Sequence, residues 1–390
     1  MKYDFTTLVN RMEQGSGKWA GMKTKNPNVS EGIVPFSTAD MEFKNAPEIA
    51  EGLKAYMDTH ILGYTGPVPA YFEGVKAWMK KRHDWDIETD WIVPTTGVVP
   101  ALGWGVAAFC KPGEGVIVMP PVYGPFYMSI EKNGCEIVRC NLLCENGEYK
   151  IDFDRFEQLA ADPNNTMLMW CSPHNPVGRV WTKEELKKLG AICRKHGVKI
   201  LSDEIHFDLI MPGYEHTVFS NAVEEGAEDI IICTAPSKTF NLAAMSTSNI
   251  IIPKEEDREA FKKAMGHGGP GALGMEACRI VYEQCEDWLD QCIEAIEENY
   301  ETSVKFITEK IPELKVAKME GTYLMWVDCT ALGMNAEELE KLCVEHELFF
   351  NQGTFFGPEG EGFVRFNLAG PKRVIEAGLE RLEKAVHSVL

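Results

Sequence analysis

From about residue 90 the chain alternates short apolar runs with longer amphipathic segments, the pattern of an α/β fold. The runs Gly115–Met119, Thr166–Cys171, Val198–Ser202, Ile230–Thr234 and Ser248–Ile252 are almost unbroken, as expected of strands covered on both faces. A helix is predicted between the second and third of them. Thr182 offers a hydroxyl cap, Glu185 is the acid three residues on, Leu186, Leu189, Ile192 and Cys193 form the buried face, and Gly197 is the stop.

Further on, Ile280, Cys285, Leu289, Ile293, Ile296 and Tyr300 form a helical stripe, so Gly274–Ile311 reads as one long helix or two abutting ones. After Pro312 the pattern changes to a strand over Thr322–Val327, a capped helix over Asn335–His346, a strand over Gly362–Asn367 and a helix from Pro371. The expected organisation is a large domain with a mostly parallel sheet flanked by helices over 46–289, then a smaller α+β domain over 290–390. The polar, turn-rich segment 1–45 is expected to pack against the smaller one.

Trp91–Cys110 is twenty residues without a charge, which is membrane-spanning length. Pro94, Gly97, Pro100, Gly103 and Gly105 interrupt it, so it reads as a strand, a turn and the start of a helix. The 390 residues are 45% hydrophobic, enough for one or two substantial cores. Acids outnumber bases by 59 to 39, a balance that argues against nucleic acid and anionic membrane as partners. The twelve cysteines contain no C-x-x-C and follow no secretory leader, so a reduced, cytoplasmic chain is expected. Cys278, Cys285 and Cys292, seven apart, are expected on one helical face as small buried hydrophobes.

Four segments carry chemistry, each following a predicted strand. Lys238, in Ala235-Pro236-Ser237-Lys238-Thr239-Phe240-Asn241, stands at the ligand edge of an α/β sheet. Alone it reads as a solvated loop lysine. As a nucleophile or base it needs a special setting, such as an imine with a cofactor aldehyde. Asp203, in Leu201-Ser202-Asp203-Glu204-Ile205-His206, can cap a helix, ligate a metal or pair with a protonated pyridine nitrogen. His206 can donate to a ring oxygen. Asn175, in Cys171-Ser172-Pro173-His174-Asn175-Pro176-Val177-Gly178, is either an Asx-turn residue or an amide donor held in a rigid turn. Thr95-Thr96-Gly97-Val98-Val99-Pro100 opens a helix whose free N–H groups can bind phosphate. A glycine at 97 suits such a cradle, and proline in the first turn costs nothing.

A phosphate cradle, an amide, an acid and a lysine at successive strand ends describe a pocket for pyridoxal phosphate (PLP). These segments resemble the class I/II aminotransferase superfamily of fold type I, and most of all its cystathionine β-lyase or C–S lyase branch. The likeness runs over nearly the whole chain and includes Ala39-Asp40-Met41-Glu42-Phe43, Gly63-Tyr64, Pro120-Pro121-Val122-Tyr123-Gly124-Pro125 and Val364-Arg365-Phe366-Asn367-Leu368-Ala369. The resemblance implies that Lys238 holds PLP covalently, Asp203 pairs with the ring nitrogen, and Asn175 contacts the ring oxygen, with His206 left as a further cofactor contact. Tyr123 would stack on the ring, and Gly97, Val98 and Ser237 would hold the phosphate. Arg365, with Asn175, would bind the substrate α-carboxylate. Tyr64 would reach the phosphate in the neighbouring subunit, which implies a homodimer with shared active sites.

The reaction so implied is an α,β-elimination of cystathionine or a related S-substituted cysteine to a thiol, pyruvate and ammonia. An aminotransferase acting on an amino acid and a 2-oxo acid shares the early steps and stays open. So does a PLP-binding regulator acting by protein contact. Three departures from the transaminase pattern lean towards the lyase branch. Ser246 stands where an arginine is common eight residues after the lysine, Ala235 where a Ser or Gly is common three before it, and His206 where a tyrosine is usual.

Overall fold

The computed structural model describes residues 3–390, so residues 1 and 2 of the N-terminal segment lie outside the described residues. The strands are β1 (Ile92–Thr95), β2 (Gly115–Val118), β3 (Glu136–Arg139), β4 (Leu143–Glu145), β5 (Glu148–Lys150), β6 (Asn165–Cys171) and β7 (Lys199–Asp203). They continue with β8 (Ile231–Thr234), β9 (Ser248–Ile251), β10 (Lys315–Val316), β11 (Leu324–Asp328), β12 (Asn351–Gln352) and β13 (Phe363–Asn367).

Seven of them form one sheet in the order β1-β9-β8-β7-β6-β2-β3. β8, β7, β6, β2 and β3 run parallel, and β9 runs antiparallel to both β8 and β1. Successive side chains of a strand point to opposite faces, so a strand covered on both faces must be apolar at nearly every position. Ile117, Leu168, Trp170, Ile200 and Ile232 enter the core on one side. Val116, Met167, Met169, Leu201 and Ile231 enter the core on the other.

The predicted helix between β6 and β7 spans Lys183–His196. Thr182 and Glu185 form a reciprocal capping box, and Gly197 ends the helix at φ 72°. The uncharged stretch is β1, a turn at Thr96–Gly97 and a helix over Val98–Phe109. No helix among the described residues is long and apolar enough to cross a membrane.

Gly274–Ile311 resolves into two helices, Ala272–Gln284 and Glu286–Lys310, that meet at Cys285. Cys278, Cys285 and Cys292 therefore do not share one helix as expected, although all three are buried. The expected boundary between 289 and 290 falls inside the second helix.

The second sheet is antiparallel, in the order β10-β11-β13-β12. β11 starts at Leu324 rather than Thr322, because Thr322 stands at φ 71°, outside the extended region. β13 likewise starts at Phe363, after Gly362 at φ 78°. The helix Ala336–Glu345 opens with an Asn335–Glu338 capping box, and the last helix runs over Lys372–His387. The N-terminal segment binds this sheet: Phe36 N–H donates to the Phe349 carbonyl at 2.9 Å and Asn367 N–H to the Phe36 carbonyl at 3.0 Å. The Phe36 ring lies 4.5 Å from that of Phe366.

Candidate active site

Three neighbouring parallel strands bring three of the predicted residues to one edge. β6 ends at Cys171 and leads to Asn175, β7 ends at Asp203, and β8 leads to Lys238. The register pairs Cys171 with Asp203 and Asp203 with Cys233, so these strand ends lie level. Beyond them is a cavity of about 170 Å³. Asn175, Asp203, His206 and Lys238 line it. Tyr123, Gly97, Val98 and Ser237 complete the set of predicted residues that reach it.

Arg365 reaches the cavity through Asn175, to whose Oδ1 its Nη1 donates at 2.9 Å. Its Nη2 donates to Asn351 Oδ1 at 2.7 Å and the Ser37 carbonyl at 3.0 Å, and its guanidinium lies 4.8 Å from the Phe356 ring centroid. Tyr64 is not brought to this cavity; it is fully exposed on the segment between the helices Pro47–Thr59 and Pro69–His83.

The helix Val98–Phe109 has no side-chain cap. The first N–H groups of a helix have no partner within it, and Pro100 carries none, so this end offers the amides of Val98 and Val99. Gly97 has extended angles that any residue adopts, and an added Cβ would touch no protein atom closer than 3.5 Å. The protein itself therefore does not demand glycine there. What its missing side chain does is keep the cavity wall open.

Burial governs the electrostatics. It pushes the Lys238 amine down to about 8, helped by the nearby positive charge of Arg365. It pushes the Asp203 carboxyl up to about 7 against a hydrogen bond from the Ile205 N–H at 3.1 Å and the attraction of Lys238. His206 is held well below its ordinary value by burial and the charges of Lys238 and Arg365, so it is a neutral imidazole. Its Nδ1 is buried without a hydrogen-bond partner. Arg365 is pushed down to about 10 and remains cationic at neutral pH.

Sequence reasoning assigned no role to several residues here. Lys238 Nζ donates to the Ala39 carbonyl at 2.6 Å, and Tyr323 Oη donates to the same oxygen at 2.9 Å. Thr247 and Cys171 also line the cavity. A backbone carbonyl leaves no signature in composition or spacing, so only the fold could reveal Ala39.

The chain matches the family model described as "Aminotransferase class I and II" over residues 28–382. It is 40% identical over 387 residues to "Cystathionine beta-lyase PatB" of Bacillus subtilis (strain 168), covering 98% of this chain and all of that protein. Among solved structures it is similar to cystalysin from Treponema denticola, which contains a pyridoxal 5'-phosphate cofactor, at 50% identity and a TM-score of 0.98 over the whole of both chains. It is also similar to the PLP-bound C–S lyase from Staphylococcus hominis, at 28% identity and a TM-score of 0.92, covering 99% of this chain and 98% of that one.

Proposed function

The chain belongs to the family of class I and II aminotransferases, and within it we propose a PLP-dependent C–S lyase that eliminates the β-thiolate of cystathionine or a related S-substituted cysteine. The observation that carries this reading is the convergence of Lys238, Asp203 and Asn175 on one cavity that is also lined by the uncapped start of the helix Val98–Phe109. The 40% identity to a cystathionine β-lyase over nearly the whole chain favours elimination over amino transfer.

The residues present fit the cofactor. The Lys238 amine, the buried Asp203 carboxyl, the Ser237 hydroxyl and the helix start at Val98 all line the cavity. The unpartnered Nδ1 of His206 adds a polar atom that suits a ring oxygen. When bound, PLP supplies an electron sink for the pair released at the substrate α-carbon.

The rest of the chemistry falls to the chain. Arg365 binds the α-carboxylate with a guanidinium already oriented by Asn351 and the Ser37 carbonyl. Asn175, fixed by Arg365, keeps its Nδ2 for the ring oxygen. Lys238 would hold the cofactor, and its free amine would take the α-proton. Its lowered pKa keeps a useful fraction of the amine neutral near pH 7. Asp203 pairs with the ring nitrogen: a carboxyl that takes up a proton near 7 is poised to share one there. Tyr123, in the cavity wall, would pack on the ring. Gly97, Val98 and Ser237 hold the phosphate through amides and a hydroxyl, with Ser246 in the wall in place of a cation. Release of the thiolate leaves a fragment that hydrolyses to pyruvate and ammonia. Tyr64 completes the phosphate site of a second copy, so the working form is a cytoplasmic homodimer.

The test is direct. The purified enzyme is mixed with cystathionine alone, and separately with an amino acid and 2-oxoglutarate. Pyruvate and thiol in the first mixture are expected. Glutamate formed in the second at a faster rate, with no pyruvate in the first, would overturn the lyase reading.

A further inference from the structure

The loop after β7 carries two more acids, and both side chains are wholly buried outside the cavity. Glu204 accepts from Ser202 Oγ at 2.9 Å and the Phe219 N–H at 3.1 Å, and its other oxygen lies 2.8 Å from His216 Nε2. Asp208 accepts from Thr239 Oγ1 at 2.8 Å and Trp78 Nε1 at 3.1 Å, and lies 2.8 Å from His83 Nε2. Burying a carboxylate is costly, and packing alone would be served as well by an apolar residue. The arrangement around Asp208 therefore calls for a reason.

The reason lies in where its partner stands. Thr239 follows Lys238 in the short helix Pro236–Thr239. Asp203 and Asp208 are the two ends of one six-residue segment. One end faces the cavity, and the other holds the neighbour of the cavity's amine. Next to Asp203, the Glu204 N–H donates to the Cys233 carbonyl of β8 at 2.9 Å. The segment that bears Asp203 is thus tied twice to the chain that bears Lys238, once to β8 itself and once, through Asp208 and Thr239, beyond it.

We propose that Asp208 is a positioning residue, which through Thr239 sets the Lys238 amine relative to Asp203. This rests on the roles given above to Lys238 and Asp203. Hydrogen bonds to a carboxylate are stronger than neutral ones, so the Asp208–Thr239 bond is well suited to fix the orientation of a helix only four residues long. Displacement of a reacting group by about 1 Å can cost on the order of 10²-fold in rate.

The test compares Thr239→Val, Thr239→Ser and Asp208→Asn as holoenzymes. Two readouts are taken: kcat and KM for elimination, and the pH midpoint of the bound cofactor's visible absorbance. Thr239→Val and Asp208→Asn are expected to lower kcat about ten- to a hundredfold with a much smaller change in KM, and to move the midpoint. Thr239→Ser, which keeps the donor, restores both. A folded Thr239→Val protein with wild-type kcat and midpoint overturns the proposal, and so does equal loss in Thr239→Val and Thr239→Ser. If Thr239→Val does not fold, a wild-type midpoint in Asp208→Asn overturns it. Lys238→Ala separates the two levels: turnover by that protein sinks the assignment of Lys238, whereas a silent Thr239→Val beside an inactive Lys238→Ala sinks the positioning role alone.

Discussion

Arg365 Nη1 donates to Asn175 Oδ1 at 2.9 Å across 190 residues of chain, joining β13 of the small sheet to the turn after β6 of the large one. The guanidinium is buried and lies over Phe356; its Nη2 donates to Asn351 and the Ser37 carbonyl, while its Nε has no partner in the protein. A planar fork fixed in this way meets a carboxylate in a set orientation.

Replacing Arg365 by Lys keeps the charge and loses the fork. The expected result is a rise in KM for the thioether of about ten- to a hundredfold, equivalent to one charge-assisted hydrogen bond, with a smaller fall in kcat. Steady-state pyruvate formation measures both. An unchanged KM would remove Arg365 from substrate binding.

Asp203→Asn keeps the shape of the side chain and cannot take up or share a proton. Its kcat is expected to fall on the order of 10²-fold, the size seen when one preorganised electrostatic group is removed. PLP content is read from absorbance after dialysis, so weak cofactor retention can be told apart from slow turnover. Wild-type kcat at full occupancy would contradict the role.

Asp203 and Lys238 together set a pH dependence for the cofactor-free protein. Asp203 holds its proton up to about 7 in the native state against 3.8 ordinarily, so between those values the native state binds more protons and stability falls as pH rises. Lys238 loses its proton at about 8 against 10.5, so in that window the unfolded state binds more and stability rises. Urea unfolding of the apoprotein should therefore find a minimum between the two native values. Asp203→Asn should flatten the acid limb and Lys238→Met the basic one; unaltered limbs would refute the assignment.

Gly353 and Gly360 press backbone to backbone: a Cβ on Gly353 would overlap the Gly360 carbonyl oxygen, which no rotamer change can relieve. Gly353→Ala is expected to cost about 1–3 kcal/mol, as overpacking does, and to raise KM because Phe356 beneath Arg365 belongs to the same short helix. Thermal unfolding and kinetics test it together. Wild-type stability would mean the segment gives way freely.

Ile61 is 92% exposed and Tyr64 entirely so, an arrangement that suits burial against a second copy. Sedimentation should give twice the 43.7 kDa chain mass, and Ile61→Asp should shift it towards the monomer. Tyr64→Phe should stay dimeric and lose PLP more readily. A monomeric, fully active wild type would end the shared-site reading.

Much of this protein is written locally. The five short apolar runs, the Thr182–Glu185 cap with its Gly197 stop, and the Asn335–Glu338 cap are all legible in sequence, because an apolar run or a cap depends only on residues within a few positions. Lys238, Asp203 and Asn175 could each be placed after a strand for the same reason. Elsewhere local signals ended too early or too late. The stripe through Cys285 ran on across a break between two helices, and the apolar run at Thr322 began before the backbone became extended. Which strands are neighbours is a matter of packing. It took the order β8-β7-β6 to bring the three residues to one edge, the fold of the N-terminal segment to set the Ala39 carbonyl against Lys238, and two sheets meeting to join Arg365 with Asn175. Contacts between residues some 190 to 200 positions apart leave no periodicity to read, and those that end on a backbone oxygen leave no residue type either.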